Sequence, residues 1–490
     1  MKSYYRIMPV AKSNYTDTSY NRNCIAQNSL PGKILHNPPE FNKKVTRRKF
    51  RSILVLIAMQ FIIINNCARA QDDSLNFDES KIPAYTLPEL LVTDDGKVIH
   101  TSREWENIQR PLILKKFSEN VYGKIPGKPR NIHYKTTVVD KDALGGKATR
   151  KEITVYFTKG DDGPSMVILL YLPNQVKGKV PVFIGLNFLG IHATQFDSTI
   201  TITDNWKRIN SGNASILKKD WTVPSGWKRG TNNKTPIRGE DAHRWPVEEL
   251  IANGYGMGTA YYEDLEPDNP EGWKTGVRNT MQHDLNIKPG EWGSICAWAW
   301  GLSRVMDYLE TDERVNATQV VVTGLSRLGK TALWAGANDQ RFAIVISNDS
   351  GEGGAALSKR IYGETVELIN RVNPHWCIEK YKSYNFAVDK LPVDQHMLIA
   401  LAAPRPVYIA SAILDKSADP KGEFLSGKFA GPVYALFGKT GVAVEDQPPV
   451  DTPVGETIGY HVRSGGHDIL MYDWKQFIGF ANRHFNYHIR

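Results

Sequence analysis

Short apolar runs without polar alternation recur along the chain. Ile153–Phe157, Met166–Leu172, Val180–Leu186, Gly256–Tyr262, Gln319–Thr323, Ala343–Ser347, Val407–Ala412 and Ile458–Val462 all have this character. Runs of this length, rich in β-branched residues, read as strands covered on both faces. Helical spacing falls between several of them. Trp292–Leu309 places Trp298, Leu302, Met306 and Leu309 on one face. Asp394–Leu401 runs into Pro404-Arg405-Pro406, which ends that helix and launches the next strand. Trp474–His484 supplies a closing helix. The first three strands lie close together, as antiparallel neighbours do, whereas the later ones alternate with helices, as parallel neighbours must. The expected fold is therefore α/β, a three-layer sandwich. Its mostly parallel central sheet is covered by helices on both faces, with loops gathered at the carboxyl ends of the strands.

The first 70 residues break this pattern. Arg47-Arg48-Lys49-Phe50-Arg51 is a positive cluster, a run of 12 residues follows from Ile53 to Ile64 that is apolar except for Gln60, and Ala68-Arg69-Ala70 is an A-x-A exit. Together these predict a secretory signal peptide cleaved near Ala70. A run that short does not span a bilayer. Residues 71–490 are then expected to form one catalytic domain, and the polar stretch 199–239 reads as a surface insertion.

The leader also accounts for the basic balance. Of 61 Lys+Arg and 52 Asp+Glu in the 490 residues, it holds 12 and 2, leaving 49 basic and 50 acidic residues. A near-neutral remainder has no field to attract nucleic acid or an anionic membrane. Two cysteines, Cys296 and Cys377, follow the leader and permit one disulfide without requiring it.

Gly324-Leu325-Ser326-Arg327-Leu328-Gly329-Lys330-Thr331 satisfies two unrelated motifs. As G-x-x-x-x-G-K-T it is a phosphate-cradling loop, and as strand, G-x-S, helix it is a nucleophile elbow. A phosphate loop needs a nucleotide supply that an exported protein lacks. An elbow predicts an acid and then a histidine after later strands. Asp415 follows the strand ending at Ala412, and His467 follows the strand near Val462, in the required order. A serine hydroxyl becomes a nucleophile when an imidazole takes its proton, and the imidazole needs a carboxylate to fix its tautomer. The small residue usual two places after the serine is here Leu328, so a variant turn is expected.

With these residues the chain resembles the bacterial glucuronoyl esterases of carbohydrate esterase family 15, within the α/β-hydrolase superfamily. The resemblance rests on the G-x-S-R-x-G-K elbow, Gly324 to Lys330, and on four further blocks. These are Gly185-Leu186-Asn187-Phe188-Leu189-Gly190, Trp298-Ala299-Trp300-Gly301-Leu302-Ser303-Arg304, Pro374-His375-Trp376 and Ala418-Asp419-Pro420-Lys421-Gly422-Glu423-Phe424. It covers roughly residues 85–490. It implies Ser326 as nucleophile, His467 as base, and Asp415 as acid with Asp349 as the alternative position. It further implies Arg327 as oxyanion stabiliser and Lys330 and Glu364 as sugar contacts, Glu364 lying on the helix after Gly353-Gly354. No metal or cofactor is implied. The implied substrate is an ester of (4-O-methyl)glucuronate, as in glucuronoxylan or lignin–carbohydrate linkages. An acetylxylan-type esterase, a non-catalytic glycan-binding relative and a P-loop ATPase stand as alternatives. Two positions depart from the family pattern. Ser417 stands where a sugar-stacking Trp is common, and Leu325 stands where fungal members often carry a disulfide-bonded Cys.

Overall fold

The computed structural model describes residues 75–205, 207 and 238–487. The leader, the cleavage position near Ala70 and most of the 199–239 insertion lie outside the described residues.

Among the described residues, nine strands form one sheet: β1 (His133–Ala143), β2 (Ala148–Tyr156), β3 (Ser165–Pro173), β4 (Val180–Asn187), β5 (Gly256–Tyr261), β6 (Val315–Leu325), β7 (Ile344–Asn348), β8 (Val407–Ala412) and β9 (Ile458–Arg463). Their order is β1-β2-β3-β5-β4-β6-β7-β8-β9. β5, β4, β6, β7, β8 and β9 run parallel, and β1 to β3 are joined antiparallel at one end. Side-chain alternation along the parallel strands divides two cores. Val182, Ile184, Val320 and Val322 face one, while Phe183, Val321, Ile344 and Ile346 face the other. Both faces are therefore apolar, which is why these runs read as continuous.

Three features differ from the sequence expectation. β1 is polar and half exposed, since it is the edge strand, and so it left no apolar run to find. The run from Val180 is not an antiparallel neighbour of the run before it, because β5 inserts between them and β4 opens the parallel set. The helix from Ser294 to Leu309 is buried on every side rather than one, because small residues and Trp fill its first half and the buried Arg304 and Asp307 pair with each other in its second.

Five helices matter to the site: α1 (Ser294–Leu309), α2 (Arg327–Asn338), α3 (Val366–Val372), α4 (Pro420–Leu436) and α5 (Met471–Phe485). The strand register aligns the carboxyl ends of β6 to β9: Leu325 pairs with Asn348, Asn348 with Ala410, and Ala412 with Arg463. The loops after these ends carry Ser326, Asp349, Asp415 and His467. Among the described residues no helix is long and apolar enough to cross a membrane. Cys296 and Cys377 are both buried free thiols, and burial pushes the Cys296 thiol up to about 12.

Candidate active site

Ser326 sits at the corner between β6 and α2 with φ 59° and ψ −130°, a conformation that non-glycine residues rarely hold. Two close backbone approaches hold the corner. A Cβ on Gly324 would lie 2.1 Å from the Leu328 carbonyl oxygen, and one on Gly329 would lie 3.0 Å from that of Gly324. The second tight position thus falls three residues after the serine instead of two. Leu328 is free to bury its side chain in the core. α2 begins immediately after Ser326, so the amides of its first two residues have no partner within the helix.

The same segment does not present itself as a phosphate cradle. The Lys330 ammonium donates to the Ser350 carbonyl, and the Thr331 hydroxyl donates to the Arg327 carbonyl at 2.9 Å. Both groups that a P-loop would aim at phosphate or metal are here directed at backbone carbonyls, and the Lys330 ammonium keeps further donors toward Glu364.

His467 is exposed, and its Nδ1 lies 2.6 Å from Asp415 Oδ2. The Asp415 side chain is 9% exposed against 45% for His467, so the carboxylate is sheltered and the imidazole open. Asp349 lies in the same cluster, its carboxylate, that of Asp415 and the imidazole being within 4.8 Å of one another. Asp349 is the deeply buried member of the cluster. Burial pushes the Asp349 carboxyl well above the usual range, and Glu423 and Asp415 add to this against the opposing Arg463. A carboxyl held toward its neutral form is poorly suited to stabilising an imidazolium. Asp349 Oδ2 instead accepts from Asn348 Nδ2 at 3.1 Å and Arg463 at 3.3 Å.

Arg463, fully buried at the end of β9, organises the histidine loop. It donates to the carbonyls of Ser464 and Gly466 at 3.0 Å each and to that of Asp468, and its Nε sits 2.8 Å from Asp473 Oδ2. The loop is tied to the elbow through a single residue. The Ser326 N–H donates to the Asn348 carbonyl at 2.9 Å, and Asn348 Nδ2 donates to the Asp468 carbonyl at 2.9 Å. Ser326, Asp349 and the loop carrying His467 are thereby held in one hydrogen-bonded unit.

On the other side of the elbow, the Arg327 guanidinium lies 5.0 Å from the Trp376 ring and 5.7 Å from the Phe188 ring, and it pairs with the buried carboxylate of Asp268. Burial pulls its proton affinity down, but Asp268 and Tyr262 more than reverse this, so it stays charged. Lys330 lies 3.8 Å from Glu364 and 5.7 Å from the Trp376 ring. Glu364 is not on a helix, as the sequence suggested. It lies in the loop just before α3, because Thr365 caps that helix and fixes its start. Burial raises the Glu364 carboxyl above its usual range, against the pull of Lys330. Beneath the loop, Glu423 on α4 accepts from the amides of Ser350 and Gly351 at 2.8 and 3.0 Å and from the Ser411 hydroxyl at 2.6 Å. That pins the turn whose carbonyl receives Lys330.

Sequence reading missed Asp268, Arg463 and Asn348. Of these, only Asp268 left a trace, through the Pro374-His375-Trp376 block whose side chains bind it.

The chain is also similar in sequence and fold to known proteins. Residues 275–438 match the family model described as glucuronyl esterase, fungi. A curated carbohydrate esterase from an unknown prokaryotic organism is 44% identical over 418 residues, covering 85% of this chain and 93% of the relative. A 4-O-methyl-glucuronoyl methylesterase of Hypocrea jecorina is 36% identical over 142 residues, 27% of this chain and 31% of that one. The solved glucuronoyl esterase from Solibacter usitatus shares 44% identity with a TM-score of 0.73, covering 83% of this chain and 99% of that structure.

Proposed function

This chain belongs to the glucuronoyl esterases of carbohydrate esterase family 15, and from that premise we propose how its residues work. The enzyme hydrolyses esters of glucuronic acid. Ser326 attacks the ester carbonyl while His467 takes its proton, and Asp415 holds the imidazole's other nitrogen and stabilises the imidazolium. Arg327 and the first amides of α2 stabilise the tetrahedral oxyanion. His467 then returns its proton to the departing alcohol, leaving a glucuronoyl ester on Ser326. A water activated by the same imidazole releases glucuronate. Lys330 and Glu364 contact the sugar hydroxyls.

The observation that carries this reading is the Asp415–His467 hydrogen bond on the loops level with the strained Ser326 corner. The test is an assay of benzyl glucuronate against acetylated xylan, with Ser326→Ala as control. Release of benzyl alcohol, abolished in the variant, supports the reading. Turnover confined to acetyl groups would replace it with an O-acetyl esterase.

For the natural setting we propose glucuronoxylan or lignin–carbohydrate esters outside the cytoplasm. The support is the basic cluster, apolar run and A-x-A exit ahead of residue 71. Amino-terminal sequencing of the protein from an extracellular or periplasmic fraction tests it. A chain retaining residues 1–70 in the cytoplasm would contradict it.

A further inference from the structure

Asp268 lies in a loop, outside every strand and helix named above, and its side chain is fully buried. Its Oδ2 accepts from the Arg327 guanidinium and from the Tyr262 hydroxyl at 3.0 Å. Its Oδ1 accepts from the Trp376 indole N–H at 2.8 Å and lies 2.8 Å from His375 Nε2. Its own amide donates to Glu263 Oε1 at 2.9 Å. A carboxylate taken wholly out of water is costly unless its lone pairs are filled, and here four side chains fill them. Arginine otherwise carries large rotamer freedom, which this carboxylate and the Trp376 and Phe188 faces remove. The pairing engages one terminal nitrogen. The Arg327 Nε–H is buried and has no hydrogen-bond partner among the described residues, so a donor of this guanidinium remains unspent.

We propose that Asp268, itself fixed by Tyr262, His375 and Trp376, is the positioning residue that presets the Arg327 guanidinium beside Ser326 for the developing oxyanion. The proposal rests on the acyl-transfer reading above. It gives the His375-Trp376 pair a task beyond packing, since both reach the reaction through Asp268. Stabilisation of a charge that appears only in the transition state raises kcat without tightening substrate binding. A purely structural ion pair shows no such selectivity.

The experiment is a double-mutant cycle on turnover of a glucuronate ester, with thermal unfolding of each variant as a fold check. Asp268→Asn and Arg327→Ala are each expected to lower kcat roughly 10²-fold, with KM changed by less than about threefold. The double variant is expected to be no slower than Arg327→Ala alone, because Asp268 then has nothing to position. Asp268→Glu is expected to recover part of the loss. Wild-type kcat in Asp268→Asn, or losses that multiply in the double variant, would overturn the proposal. Should Asp268→Asn fail to fold, Tyr262→Phe takes its place in the same cycle. It is expected to cost roughly three- to tenfold in the Arg327 background and nothing in Arg327→Ala; equal losses in both backgrounds would overturn the proposal. Failure of the underlying reading looks different: wild type leaves glucuronate esters intact, or Ser326→Ala stays active.

Discussion

The two sides of the Ser326 corner are built in opposite ways. On one side stands an open imidazole hydrogen-bonded to the sheltered Asp415 carboxylate, carried by the loops that end β8 and β9. On the other stands a guanidinium clamped between aromatic faces onto a carboxylate with no exposure at all. The difference fits the roles proposed for the two sides. A base that takes, returns and takes again a proton must meet solvent and leaving group, so water has to reach it. An oxyanion stabiliser is most effective when it neither reorients nor rehydrates during the reaction, so burial favours it. The open side is not loose, however, because Arg463 fastens the loop from beneath with bonds to three of its carbonyls.

The sharpest way to break this contrast is to remove the shared nucleophile. Ser326→Ala is expected to lower kcat by about 10⁵-fold or more while glucuronate binding, measured calorimetrically, persists. Residual turnover within tenfold of wild type would remove the corner from the mechanism. Next come the two acids. Asp415→Asn is expected to cost roughly 10³- to 10⁴-fold in kcat, as loss of the imidazole's tautomer partner does. Asp349→Asn is expected to cost less than about tenfold, because its carboxyl is already held toward the neutral form. The reverse ranking of rates would move the acid to the buried side. A third substitution tests the corner itself. Gly324→Ala places a methyl against the Leu328 carbonyl and is expected to destabilise the fold by roughly 2–4 kcal/mol, read from denaturant midpoints. An unchanged midpoint would mean that the turn relaxes without cost.

The smallest effect is a dependence of stability on pH. Burial raises Glu352 and Glu423 to about 7, against hydrogen bonds from Tyr381 and Ser411 respectively. A carboxyl whose folded value exceeds its unfolded one binds more protons when folded. Its stabilising contribution is therefore complete below about pH 4 and is lost as pH rises through 7. Tm is expected to fall between pH 5 and pH 8, and Glu423→Gln is expected to flatten that slope by roughly 1–3 kcal/mol. A slope unchanged by the substitution would show that Glu423 is ionised throughout.

The parts of this design that could be read from the sequence are those written in local patterns. β8 was legible to the residue, since Val407–Ala412 is a short apolar run bounded by proline on one side and polar loop on the other. The elbow was legible as strand, G-x-S and helix, although Gly329 rather than residue 328 makes the second close approach. α4 was not, because Gly422, Gly427, Gly431 and an internal Pro432 interrupt any helical pattern, and tertiary packing overrides them. Asp268 was illegible for a different reason. It sits 59 positions from Arg327 and 107 from His375, so only the folded chain brings the three together. Glu364 shows the reverse case, a residue foreseen in kind but placed on the wrong element, because the cap at Thr365 starts α3 two positions later, at Val366.

The central claim is a glucuronoyl ester on Ser326, and it can be weighed directly. Wild-type enzyme turning over an activated aryl ester of glucuronic acid, quenched in acid within milliseconds and digested, is expected to show one peptide heavier by a glucuronoyl group, with the modification at Ser326. An adduct on another residue, or full turnover with no adduct and no dependence on Ser326, would contradict the account.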